Sequence, residues 1–112
     1  MEITQISAGR VAVLQVVGRF TASDRPGALK DAVSGVLREG ARHVLLDLSG
    51  VNYVDSTRLG ELISAHISVT KQGGRLKLIA PPERIVSLLS IAGLGGVFEQ
   101  FQTIELASAT LD

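Results

Sequence analysis

The sequence predicts an α/β fold, a mixed sheet of four to five strands with packed α-helices. Residues 44–48 form a nearly continuous apolar run, which is typical of a central strand that is covered on both faces. Other short apolar segments alternate with stretches whose apolar residues recur at helical spacing, and this alternation is typical of strand-helix-strand units. A chain of 112 residues is expected to form one domain over residues 1–112.

The composition narrows the possible classes of function. Eleven basic and eleven acidic residues give a formal net charge of zero without a basic cluster, so nucleic acid is not expected as a partner. No apolar stretch is long enough to cross a bilayer and the N-terminus lacks signal-peptide features, so no membrane insertion is expected. Zero cysteines exclude disulfides and thiolate metal sites and are compatible with a cytoplasmic location. With only two histidines, neither a metal nor a cofactor is expected.

The first predicted elements are a hairpin. Residues 2–7 and 10–17 have the composition of strands and are separated by a tight turn at Ala8-Gly9. The second strand is apolar on both faces, so we expect it to lie inside the sheet. Residues 18–21 are expected to leave the sheet.

One helix is predicted before the central strand at residues 43–48, and a second helix is predicted after it along the chain. Ser23 or Asp24 is expected to cap the first of them. After a predicted turn at 49–52, the second helix is expected over about residues 56–71. Helical spacing predicts that one side of this second helix carries Leu59, Leu62, Ile63, His66, Ile67 and Thr70, and that the opposite side carries Glu61, Ser64, Ser68 and Lys71.

The rest of the chain predicts two more strands and two more helices. Residues 75–80 are expected to form a strand, and Pro81-Pro82 to open a helix. A short edge strand at 98–101 and a short helix at 103–109 complete the prediction. Because right-handed crossovers make successive strands parallel, only the first hairpin is expected to be antiparallel.

Asp55, Ser56 and Thr57 stand at the predicted start of the second helix, where side-chain oxygens satisfy free backbone amides. The segment DLSGVNYVDSTRLGEL at residues 47–62 resembles the signature of the STAS domain, the fold of bacterial anti-sigma factor antagonists. The pattern of that family runs close to D-L-S-x-V-x-x-hydrophobic-D-S-S/T-G-L-G. The resemblance continues in later segments, including KQGGRLKL at 71–78, and covers essentially the whole chain.

This resemblance implies a phosphorylation site at Ser56. In the family, the hydroxyl after the motif aspartate is phosphorylated by a partner anti-sigma factor of the serine kinase type, and a cognate phosphatase reverses the modification. Position alone gives Ser56 a second interpretation, as a helix cap. Asp55 is either a capping residue or a group that positions the hydroxyl. Thr57 is a secondary acceptor or a bystander.

The sequence departs from the family pattern at Arg58, where the family usually has glycine. We consider three interpretations of Arg58: it binds a phosphate on Ser56, it blocks a kinase of the usual shape, or it is an exposed surface residue. Arg19 and Thr21 also replace acids that the family often carries in the preceding loop. The expected partner-docking surface consists of Asp55, Ser56, Thr57, Arg58, Arg19, Thr21 and Glu61, and it is more basic than usual.

Two functions from different classes are consistent with these residues. The first is an anti-sigma factor antagonist that binds an anti-sigma factor when unphosphorylated and is released when Ser56 is phosphorylated. The second is a STAS subunit that docks on another protein, such as a lipid-transport ABC ATPase, without phosphorylation. An enzyme is not expected, because there is no G-x-S-x-G motif and no catalytic group of side chains converges.

Overall fold

The structure, a computed structural model, describes residues 1–7, 9–20 and 27–111. The described elements follow the predicted order along the chain. The strands are β1 (Glu2–Ser7), β2 (Val11–Phe20), β3 (His43–Val54), β4 (Leu76–Ile79) and β5 (Glu99–Phe101). The helices are α1 (Ala28–Arg38), α2 (Ser56–Lys71), α3 (Glu83–Ile91) and α4 (Ile104–Ser108).

The strands form one mixed sheet in the order β1-β2-β3-β4-β5. β1 is antiparallel to β2, and every later neighbour is parallel. The predicted α/β class, the mixed sheet and the initial hairpin are therefore confirmed. Ala8 of the predicted turn lies outside the described residues, whereas Gly9 has a φ of 91°, which glycine adopts without strain.

The core lies mainly between the sheet and helices α1, α2 and α3. Leu14, Leu46 and Leu78 face this side from three neighbouring strands and are at most 2% exposed. The other side of the sheet holds a smaller cluster that includes Leu45 and Ala107 of α4. The apolar run in β3 is thus covered on both faces, as its sequence predicts.

The smaller side of the sheet also contains a buried cation that the sequence pattern does not reveal. Lys77 in β4 is fully buried, and its Nζ donates a hydrogen bond to Thr110 Oγ1. The same Nζ lies 3.4 Å from Glu99 Oε1 and 5.1 Å from the centre of the Phe101 ring. Burial of a charge lowers stability unless ion pairs and hydrogen bonds compensate for the loss of water, so these contacts stabilise the buried Lys77 ammonium group.

The predicted turn at 49–52 is wrong, because β3 continues through it to Val54. The Asp47 carboxylate accepts hydrogen bonds from Ser49 N and Ser49 Oγ at 3.0 and 2.7 Å, as in an Asx turn. The pairing of β2 with β3 shifts twice here, between Asp47 and Gly50 and between Val51 and Tyr53, so the predicted turn is replaced by irregularities within the strand. The predicted departure of residues 18–21 is wrong for 18–20, which remain paired with β3.

The predicted helix over 56–71 is confirmed, but its inward face is rotated relative to the prediction. Ile67 is 52% exposed and Thr70 is also exposed. The buried positions of α2 are Arg58, Leu59, Leu62, Ala65 and Val69. A small side chain such as Ala65 allows a helix to pack close to its neighbours. Hydropathy does not describe this close packing, so the prediction placed the inward face of α2 incorrectly.

Candidate partner-docking site

Asp55, rather than Ser56, is the N-cap of α2. The Asp55 backbone is extended, and its carboxylate accepts a hydrogen bond from Arg58 N at 2.9 Å. Ser56 is the first residue of the helix and is exposed. The interpretation of Ser56 as the helix cap is therefore wrong, and its hydroxyl is not required to start the helix.

Thr57 is also exposed, so two neighbouring hydroxyl groups lie on the surface at the start of α2. The N-terminus of a helix carries unsatisfied amides and a partial positive charge. Negative charge added at Ser56 or Thr57 would therefore lie where the helix backbone favours it.

Arg58 is only 7% exposed, so its interpretation as an exposed surface residue is wrong. Its Nη1 lies 2.7 Å from Glu61 Oε2, one helical turn further along α2. The two side chains are 8% and 9% exposed, respectively. The guanidinium that the sequence places beside Ser56 is thus engaged by a buried carboxylate.

Glu61 connects α2 to the start of α1, which the sequence did not predict. Its Oε1 accepts hydrogen bonds from Leu29 N at 2.9 Å and from Lys30 N at 3.4 Å. Gly27 precedes α1 with a φ of 79° and supplies no side-chain cap, so Glu61 performs the capping role from the neighbouring helix. The predicted caps Ser23 and Asp24 lie outside the described residues.

The outward orientation predicted for Glu61 is therefore wrong. A helical wheel puts it opposite the apolar side, but the first turn of α1 lies beside it and offers free amide donors. Arg58 and Glu61 together connect the N-termini of two helices. Of the seven expected docking residues, these two belong to the packing beneath the surface.

Arg19 lies near the end of β2, paired in register with Tyr53 of β3. Its guanidinium carbon is 4.6 Å from the centre of the Tyr53 ring. Arg84, in the first turn of α3, lies 4.8 Å from the same ring, and its Nε donates to Val54 O at 3.2 Å. Sequence reasoning missed Tyr53 and Arg84, because nothing in the local sequence places α3 beside β3.

The structure therefore groups the exposed candidates at the carboxyl ends of β2 and β3. Val54 accepts the hydrogen bond from Arg84, and the next two residues are Asp55 and Ser56. Thr21, the remaining candidate, lies outside the described residues. Within the described ranges no three His, Asp or Glu residues are grouped in a way that could hold a metal ion, and no helix is long and apolar enough to cross a membrane.

Most of the chain matches one protein-family model. The family model described as "Mlab, STAS domain" matches residues 3–104. The anti-sigma-B factor antagonist of Bacillus subtilis is 31% identical over 86 residues, 77% of this chain and 77% of that protein. A Thermotoga neapolitana homologue of the protein TM1081 is 37% identical over 71 residues, and the match covers 63% of each chain.

Solved structures share the fold over nearly the full described length. The crystal structure of TM1081 from Thermotoga maritima superposes with a TM-score of 0.81 at 24% identity, covering 96% of this chain and 91% of that one. The Bacillus cell fate determinant SpoIIAA, in its phosphorylated form, gives a TM-score of 0.74 at 14% identity, covering 99% and 98%. At these identities the likeness concerns the fold.

Proposed function

The chain belongs to the STAS domain family, and on that premise we propose that it is an anti-sigma factor antagonist whose binding is switched by phosphorylation of Ser56. The unphosphorylated protein binds an anti-sigma factor of the serine kinase type. Phosphorylation of Ser56 by that partner releases it, and a cognate phosphatase restores binding. The protein acts by binding rather than by catalysis.

The observation that carries this proposal is the position of Ser56 in α2. Its hydroxyl is exposed at the first residue of the helix, and capping is performed by the neighbouring Asp55. A kinase can therefore modify Ser56 without first removing a hydrogen bond on which the helix depends. Thr57 is one residue further on and is a secondary acceptor.

A phosphate at this position changes the docking surface directly. It adds about 1.5 to 2 negative charges and strong hydrogen-bond acceptors. The helix N-terminus tolerates those charges, so the fold is retained while the surface becomes anionic. A partner that packs closely against a neutral surface at Ser56 meets added bulk and charge, and its dissociation rate rises.

Variants at Ser56 test this proposal. In pull-down from host extracts, the Ser56→Ala protein is expected to retain as much anti-sigma factor as wild type does. The Ser56→Asp protein is expected to retain at least tenfold less. Ser87→Asp places the same charge on an exposed position of α3 and serves as the matched control. Peptide mapping of residues 43–71 from protein purified from its host is expected to find one phosphate on Ser56.

Equal partner binding by wild type and Ser56→Asp would contradict the switch. Consistent absence of phosphate across growth and stress conditions would favour the second candidate, a STAS subunit that docks on another protein, such as a lipid-transport ABC ATPase. The observation that favours this candidate is Arg58, whose guanidinium is engaged by Glu61 rather than directed at Ser56. In that case the docking surface is constitutive.

A further inference from the structure

Arg19, Tyr53 and Arg84 form a surface cluster that we call the arginine-tyrosine patch. The two guanidinium groups lie 4.6 and 4.8 Å from the centre of one tyrosine ring. Contact with the ring and the hydrogen bond from Arg84 Nε to Val54 O restrict side chains that are otherwise flexible. The patch therefore presents two cations in a defined arrangement.

These cations have no acidic partner among the residues that the structure describes. Both Arg19 and Arg84 are exposed, and their contacts are with an aromatic ring and a backbone carbonyl. Two other arginines differ in this respect, since Arg58 is paired with Glu61 and Arg75 lies 3.5 Å from Glu99. The terminal amino groups of Arg84 remain available for a carboxylate, which guanidinium binds through two parallel hydrogen bonds.

The position of the patch connects it to the candidate docking site. Arg84 binds the carbonyl of Val54, which directly precedes Asp55 and Ser56. Tyrosine and arginine are also among the residue types that contribute most often to binding energy at protein interfaces. A net charge of zero for the whole chain gives no general attraction for a polyanion such as nucleic acid.

We propose that the arginine-tyrosine patch binds an acidic segment of the partner protein and extends the docking surface beyond Ser56. The inference builds on the proposed function, because it adds a second contact to the same surface. Carboxylates of the partner segment bind the two guanidinium groups. The tyrosine ring packs against the partner's backbone between those carboxylate residues. The charge of this contact selects partners that carry acids at the matching position.

A defined acidic peptide tests the patch without a partner or a phosphate. The probe is an end-blocked octapeptide of alternating glutamate and aspartate, titrated into ¹⁵N-labelled protein at about 50 mM salt, where screening is weak. We expect the largest shifts at the Nε–Hε groups of Arg19 and Arg84 and at the backbone of Tyr53. Arg84→Glu is expected to weaken binding at least tenfold, whereas Tyr53→Phe retains the ring and is expected to retain binding within about threefold.

Arg38→Glu is the matched control, because Arg38 is an exposed arginine in the last turn of α1, and it is expected to change affinity less than about twofold. Circular dichroism establishes that each variant is folded. Shifts of equal size at all exposed arginines would overturn the proposal, as would tighter binding of the oligonucleotide (dT)8 or of phosphatidylglycerol vesicles than of the peptide. Failure of the Ser56 switch would leave this measurement unchanged, so the two proposals fail separately.

Discussion

Removal of the Glu61 side chain tests the connection between the two helix starts most directly. In the Glu61→Ala variant, the buried Arg58 loses the carboxylate that lies 2.7 Å away. At the same time, Leu29 N and Lys30 N lose their common acceptor. One truncation thus removes one ion-pair partner from Arg58 and the common acceptor from two amide donors.

The expected cost follows from the burial of the pair. Because both side chains are less than 10% exposed, solvent screens their interaction only weakly. Loss of a hydrogen bond between charged groups costs about 1.5–3 kcal/mol, and loss of a helix cap costs about 0.5–2 kcal/mol. The two effects overlap, so we expect Glu61→Ala to lower the free energy of unfolding by about 2–4 kcal/mol and Tm by at least about 8 °C.

Urea unfolding followed by circular dichroism measures this change. Glu61→Gln is the informative companion, because its amide oxygen can still accept from Leu29 N while the negative charge is absent, and its loss should be intermediate. Glu83→Ala removes an exposed glutamate from the first turn of α3 and is expected to cost no more than about 1 kcal/mol. A loss below about 1 kcal/mol for Glu61→Ala would refute the reasoning.

Two further predictions concern close packing and the buried lysine. A Cβ on Gly74 would lie 1.7 Å from Arg42 O, so Gly74→Ala is expected to lower the free energy of unfolding, measured in urea, by about 3 kcal/mol or more. In α1, a Cβ on Gly35 meets nothing within 4 Å, so Gly35→Ala is expected to raise the free energy of unfolding by about 0.5–1 kcal/mol. Thr110→Val removes the acceptor of the buried Lys77 and is expected to cost about 1–3 kcal/mol, whereas Lys77→Met is expected to be near neutral. Equal stability of the Gly74 and Gly35 variants, or a larger loss for Lys77→Met than for Thr110→Val, would contradict these assignments.

The sequence predicts the fold well where a local pattern decides it. The apolar run in β3 and the helix over 56–71 both appear, because central-strand and helix-start signals depend on neighbouring residues. The turn predicted at 49–52 was wrong for a tertiary reason. Turn-forming residues there lie beside β2, so the strand continues and accommodates two extra residues at two irregularities in its pairing.

The candidate site was predictable only in part, for the same reason. Asp55 and Ser56 are placed by the local transition from strand to helix, which the motif encodes. Tyr53 and Arg84 come together only when α3 is packed beside β3. No spacing rule relates residues 53 and 84, so a sequence without aligned homologues carries no signal for that contact.

Arg58 shows why a departure from a family pattern must be interpreted with its structural partners. Its position in the sequence predicts a change in the surface beside Ser56, but its guanidinium lies in a buried pair with Glu61. Glu61 in turn holds the first amides of α1. Arg58, where the family pattern usually has glycine, therefore acts on the packing between two helices, while the neighbouring Ser56 stays exposed.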